Sequence, residues 1–158
     1  MQFLLMSLFA AGIVALDQWT KFLVLQNIPL YGHVDAIPGL FHLTYVRNTG
    51  AAFSAFEGAQ WLFAIIFLLL TVAIFYEYFK SRQPFTTFER WLIAAIYGGG
   101  VGNMIDRIRF GYVVDMIEVD FMNFAVFNVA DCFITCGCIL LILHLAFFNK
   151  AFWKEEKK

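Results

Sequence analysis

A chain of 158 residues that is 61% hydrophobic, 19% aromatic and only 15% charged carries more apolar surface than a water-soluble domain of its length can cover. Its formal net charge of −1 offers no clustered basic face for nucleic acid. Three cysteines, Cys132, Cys136 and Cys138, share one apolar run; the odd count argues against a disulfide framework, and their helical spacing suits packing between helices better than metal binding.

In chain order, the first apolar stretch runs from Met1 to Leu16 and ends at Asp17. No basic segment precedes it, so it reads as a retained span, about residues 3–21, and not a cleaved leader. The loop that follows, about 22–57, is punctuated by Pro29, Gly32, Pro38 and Gly39. Within it Leu40–Val46 alternates, with Phe41, Leu43 and Tyr45 on one side, which is the period of a half-buried strand. A small sheet lying on the membrane is expected there, followed by a short amphipathic segment over Gly50–Phe56. Two further spans, about 58–77 and 89–107, flank a short loop with Lys80, Arg82 and Arg90. Gly98, Gly99, Gly100 and Gly102 in the third span suit close helix packing. A second loop, about 108–127, leads to a fourth span, about 128–149, and a KEEKK tail.

These elements predict an all-α membrane protein: a single domain over 1–158 with four transmembrane helices and a small extracytoplasmic β-rich module in the first outer loop. Basic residues favour cytoplasmic flanks, so the Lys80–Arg90 loop, the tail and both termini are expected inside. Lys21, Arg47, Arg107 and Arg109 on the outer side temper that bias.

The polar residues are the informative ones. An aspartate at the centre of a span costs about 2.5–3.5 kcal/mol and needs a partner or a task. Asp131 opens the fourth span, and Asp115 lies in the loop after the third. Consecutive spans joined by an outer loop run antiparallel, so both acids come to the same membrane face. Two close carboxyls share a proton, leaving one base to activate water and one acid to protonate a scissile carbonyl. The spacing alone does not decide for the pair: a separate ion pair for each acid, or a helix cap for Asp131, stays open. Asp17 and Lys21 in DQWTK form an i, i+4 pair and read as a structural clasp. Asp106 and Arg107 follow the glycines, but the Lys-Ser/Thr of a phosphate loop is missing. Asn48 and Gly50 in RNTG read as a turn that could also hold an extended peptide. His33, His42 and His144 share no metal-ligand spacing. A transporter would spread polar residues along its spans; here they gather at the outer ends.

Together DQWTK, NTGAAF, GNMIDR, VVD and FNVAD resemble, in order and setting, the bacterial lipoprotein signal peptidases, the signal peptidase II family. The resemblance covers nearly the whole chain. It implies an aspartic endopeptidase of the bacterial plasma membrane, acting without metal or organic cofactor. Its substrates would be membrane-embedded prolipoproteins, cleaved just before a diacylglyceryl-modified cysteine, with bilayer lipid as the other partner and no obligate protein partner. By motif match Asp115 and Asp131 are the implied catalytic pair. Asn48, Gly50, Asn103, Arg107, Asn128, Asp17 and Lys21 are implied to orient the pair and the substrate.

Overall fold

The computed structural model describes residues 1–50, 60–80 and 85–152. The segment after Gly50, Arg82 and the KEEKK tail lie outside them. Four helices and one three-stranded sheet follow in the order α1 (Gln2–Asn27), β1 (His33–Ile37), β2 (Phe41–Asn48), α2 (Gln60–Lys80), α3 (Thr87–Phe110), β3 (Val113–Val119) and α4 (Val129–Phe147). Among the described residues α1 and α4 are long and apolar enough to cross a membrane. The apolar part of α2, Trp61–Tyr76, is shorter, and α3 carries Glu89, Arg90, Asp106, Arg107 and Arg109.

Helix α3 is the centre of the bundle, packed against α1 and α4 on either side and touched by α2. Glycines make that possible. A Cβ at Gly99 would lie 2.6 Å from the Ala130 carbonyl oxygen, and one at Gly102 would lie 2.5 Å from Asp17 Oδ2. The apolar residues point outward instead: Leu4, Leu8, Ile65, Leu69 and Ile142 are all exposed. Of the largest side chains with almost no exposed surface, all but Val114 are polar: Lys21, Glu89, Asn128, Asp17 and Asp106. An apolar exterior around a polar interior is stable only where every buried polar group is paired.

The helix ends are paired by their own residues. Thr86 and Glu89 form a capping box at the start of α3, and Gly111, at φ 75°, closes its end through a hydrogen bond to the Arg107 carbonyl. Glu89 is also hydrogen-bonded to His144 (2.8 Å) and Asn149 (2.8 Å), fixing α4 against α3 at that end. At the opposite end Asn128 and Asp131 form a second capping box that starts α4.

The sheet has the order β1-β2-β3, antiparallel throughout. It differs from the expected module in two ways. Its third strand, β3, comes from the segment between α3 and α4, so the segments after α1 and after α3 build one sheet. In β2 the alternation breaks: Thr44 and Tyr45 are both buried because the register against β3 shifts between Leu43 and Val46. Past the shift, Val46 pairs with Asp115 and Asn48 with Val113. The sheet rests on the end of α1, where Val24 and Ile28 pack with Tyr45, Val114 and Met116. This platform carries Asn48 and Asp115 to the bundle.

Gly99→Ala should lower the melting temperature in detergent, because overpacking against a backbone carbonyl costs about 1–3 kcal/mol. Gly12→Ala, with nothing within 4 Å of its Cβ position, should leave it unchanged or raised. Equal melting temperatures for the two variants would contradict this packing.

Candidate active site

The site grows outward from Lys21. Its ammonium has three protons, and three acceptors meet them: Asp17 Oδ2 at 2.8 Å, Asp106 Oδ2 at 3.0 Å and Asn103 Oδ1 at 3.0 Å. The pair expected as a clasp at the end of a span is therefore a completely buried centre, with α1 continuing past it to Asn27. The expected i, i+4 partner is only half of it; Asp106 on α3 supplies the other half. A buried lysine with one carboxylate and an unsatisfied proton would be far less stable.

Each of the two carboxylates that hold Lys21 then positions one more piece of backbone. Asp17 Oδ1 accepts the Ala130 N–H at 3.0 Å, and Asp106 Oδ2 accepts the Val114 N–H at 3.0 Å. Ala130 directly precedes Asp131, and Val114 directly precedes Asp115. One buried cation thus sets the backbone beside both aspartates. Gln18 completes the centre, donating to Asp106 Oδ1 at 2.9 Å and the Gly102 carbonyl at 3.1 Å.

Three asparagines carry the network to the carboxyl groups. Asn103 donates to Asp131 Oδ1 at 2.7 Å. Asn128 donates to Asn103 Oδ1 at 3.0 Å and to Asp115 Oδ1 at 2.7 Å. Asn48 donates to Asp115 Oδ2 at 2.9 Å, while its own carbonyl accepts the Gly50 N–H at 2.9 Å, an Asx-type turn. Asp131 Oδ2 accepts the Asn128 N–H at 3.1 Å as part of the helix cap. The two readings left open for Asp131, cap and member of a pair, are not exclusive: one oxygen caps α4 and the other faces Asn103. The two carboxyl groups are linked through the amides of Asn128 and Asn103.

Arg107 bounds the site. Its Nη1 donates to the Asn103 carbonyl at 3.2 Å and its Nη2 to the Gly50 carbonyl at 3.3 Å, with Cζ 4.5 Å from the Phe63 ring. The buried Arg107 Nε has no partner among the described residues. The two aspartates of the implied pair and all seven residues implied to orient them therefore lie in one connected cluster, with Asp106. Gln18, Phe63 and the Val114 and Ala130 amides were not singled out. Of these only Gln18, a polar residue beside Asp17 inside an apolar helix, carried a readable signal.

Burial first, and the nearby Asp131 charge second, push the Asp115 carboxyl up to about 7. The Asn48 and Asn128 hydrogen bonds and the Lys21 charge act the other way and are outweighed. A carboxyl that keeps its proton near neutral pH, beside a second carboxyl, is a natural acid for hydrolysis. Among the described residues no group of three or more His, Cys, Asp or Glu is placed to hold a metal ion. Cys132, Cys136 and Cys138 are free thiols on α4.

The family described as Signal peptidase (SPase) II matches residues 9–147. The chain belongs to the signal peptidase II family. It is 44% identical over 148 residues to a lipoprotein signal peptidase of Streptococcus thermophilus (strain CNRZ 1066), covering 92% of this chain and 90% of that one. The lipoprotein signal peptidase of Enterococcus faecalis (strain ATCC 700802 / V583) is 43% identical over 144 residues, covering 91% and 89%. A bacterial membrane enzyme solved by the in meso method at 2.3 Å resolution superposes with a TM-score of 0.84 at 33% identity, over 96% of this chain and 92% of that one. The family resemblance read from five short motifs is thus supported along almost the whole chain.

Lys21→Met leaves Asp17 and Asp106 buried without their cation, a loss of about 3–5 kcal/mol. It should abolish a cooperative melting transition or lower it sharply, whereas Trp19→Phe, at a position 59% exposed, should melt like the parent. A Lys21→Met protein as stable as Trp19→Phe would contradict the role given to the buried cation.

Proposed function

We propose that this chain is an intramembrane aspartic endopeptidase that removes the signal peptide from diacylglyceryl-cysteine prolipoproteins, cutting just before the lipid-modified cysteine. The observation that carries this reading is the pair of carboxyl groups, Asp115 from the sheet and Asp131 from α4, bridged by Asn128 and Asn103. Membership of the signal peptidase II family supplies the reaction class.

In this mechanism Asp115 holds a proton and Asp131 accepts one from a water molecule. The water oxygen attacks the scissile carbonyl carbon, and the Asp115 proton passes to the carbonyl oxygen. Collapse of the tetrahedral diol breaks the C–N bond: the proton gained by Asp131 goes to the leaving amine, one diol hydroxyl returns its proton to Asp115, and the new carboxylic acid is released. Asn48 and Gly50 hold the substrate backbone beside the pair, and Arg107 Nε, without a partner among the described residues, donates to a substrate carbonyl. No metal or organic cofactor takes part.

The membrane setting belongs to the same proposal. The single domain crosses the bacterial plasma membrane four times, with α2 and α3 spanning beside α1 and α4 and both termini cytoplasmic. The excess of Lys and Arg in the α2–α3 loop and the tail supports that orientation. The sheet and the Asp115–Asp131 site then lie at the extracytoplasmic face, where the lipid-bearing cysteine of a substrate resides. A transport function is disfavoured because the polar residues close on one another in hydrogen bonds and form no path along the helices.

Asp115→Asn and Asp131→Asn should each lower cleavage of a diacylglyceryl-modified prolipoprotein by roughly three orders of magnitude or more, with the folded yield retained. Undiminished cleavage by either variant would remove the dyad. The pH profile tests the proton. A carboxyl raised to about 7 is protonated below that pH and ionised above it, so kcat/KM should fall as pH rises through about 7. A rate that stays flat to pH 9 would show that no shared proton is needed.

A further inference from the structure

The histidines share no spacing in the sequence, yet the sheet brings His33 and His42 together, their rings 5.3 Å apart. His42 lies on β2, and each of its ring nitrogens faces a carboxylate. Nδ1 is 2.6 Å from Asp120 Oδ1, and Nε2 is 2.9 Å from Glu118 Oε2. The strand register accounts for Glu118, which stands opposite His42 across β2 and β3. The backbone accounts for Asp120: its N–H donates to the Leu40 carbonyl at 3.0 Å as the chain leaves β3.

A neutral imidazole has one N–H and one lone pair. It can donate to one carboxylate only, and it turns a lone pair toward the other. Two carboxylates at hydrogen-bonding distance therefore call for the doubly protonated ring. The Asp120 hydrogen bond is the largest cause lifting the His42 ring above its ordinary 6.5. Partial loss of water acts the other way, while the Glu118 bond and both negative charges add to the rise. Two more groups face the ring from β1: Asp35, opposite it in the register, and His33. Asp35 acts with the two acids, and a protonated His33 acts against them. Among the described residues neither Glu118 nor Asp120 pairs with a lysine or an arginine, so His42 is the cation they hold.

A single exposed ion pair contributes little, but this ring joins three pieces of chain. His42 belongs to the β1–β2 hairpin, and Glu118 lies near the end of the strand that carries Asp115. Asp120 begins the segment that runs to Asn128 and Asp131. That segment meets β3 again at Phe127, through hydrogen bonds with Met116 and Ile117. We propose that His42 is a proton-operated clasp between the β1–β2 hairpin and the segment leading into α4, closed when the ring is protonated and open when it is neutral. The clasp stabilises the sheet fully below the ordinary histidine range, and that contribution is lost as pH rises through the folded midpoint. It uses none of the residues of the aspartate pair and does not depend on the peptidase reading.

The test is histidine NMR with amide hydrogen exchange on the detergent-purified protein. The His42 signal, assigned by its loss in His42→Gln, should titrate with a midpoint above 6.5. Glu118→Gln/Asp120→Asn should lower that midpoint. Glu118→Gln alone, at a side chain 41% exposed, should lower it less and serves if the double variant folds poorly. After correction for the intrinsic pH dependence of exchange, protection of the Asp120 amide should fall roughly threefold as pH passes the midpoint. His42→Gln should show no such step. A parent midpoint at or below 6.5, or one unmoved by the variants, would overturn the proposal. So would an Asp120 amide whose protection is the same on both sides of the midpoint, or an equal step in His42→Gln.

Discussion

A lysine ammonium enclosed within a bundle of apolar helices must have all three protons accepted, and the rest of this structure is organised around meeting that demand at Lys21. Asp17, Asp106 and Asn103 accept them. Because these residues lie on α1 and α3, the two helices are held at one depth. Their remaining acceptors and donors reach β3 and α4 through Val114, Ala130, Asn128 and Asp131. Buried ion pairs are poor sources of net stability but strong devices for specifying one arrangement. Here the arrangement specified is the approach of the two chain segments that bear Asp115 and Asp131.

The division of labour between surface and interior follows from the solvent. Apolar side chains lie outside, where hydrocarbon covers them, and contribute little to holding the helices together. Glycines on α3 let the backbones approach closely enough for short polar side chains to meet. Gly102 shows the coupling most directly, since any Cβ there would collide with Asp17. Packing and polar network are therefore one constraint, and the chemistry of the site depends on both. Burial raises the affinity of Asp115 for its proton, and the asparagine amides limit that rise while holding the carboxyl in place.

Much of this was legible in the sequence, for physical reasons that differ from residue to residue. The helices showed as long apolar runs, and antiparallel topology alone brought Asp115 and Asp131 to one face. Strand β3 was not legible: Val113, Val114, Asp115 and Met116 are all buried, so the alternation that marks a half-exposed strand is absent there. The partnership of Lys21 with Asp106 was hidden because no local period links positions on different helices. The competing readings of Asp131 could not be separated because the structure uses both of its oxygens. The shift in β2 that buries Thr44 and Tyr45 together depends on its partner strand, which no pattern within β2 discloses.

The central claim is that this enclosure holds one proton on Asp115 near neutral pH while a second carboxyl stands beside it. Carbon-13 NMR of protein labelled at the aspartate carboxyl carbons, in a membrane mimic, measures that directly. One of the six aspartate signals should titrate with a midpoint near 7 and disappear in Asp115→Asn. Titration of every signal below about pH 5, the range of unperturbed carboxylates, would contradict the account.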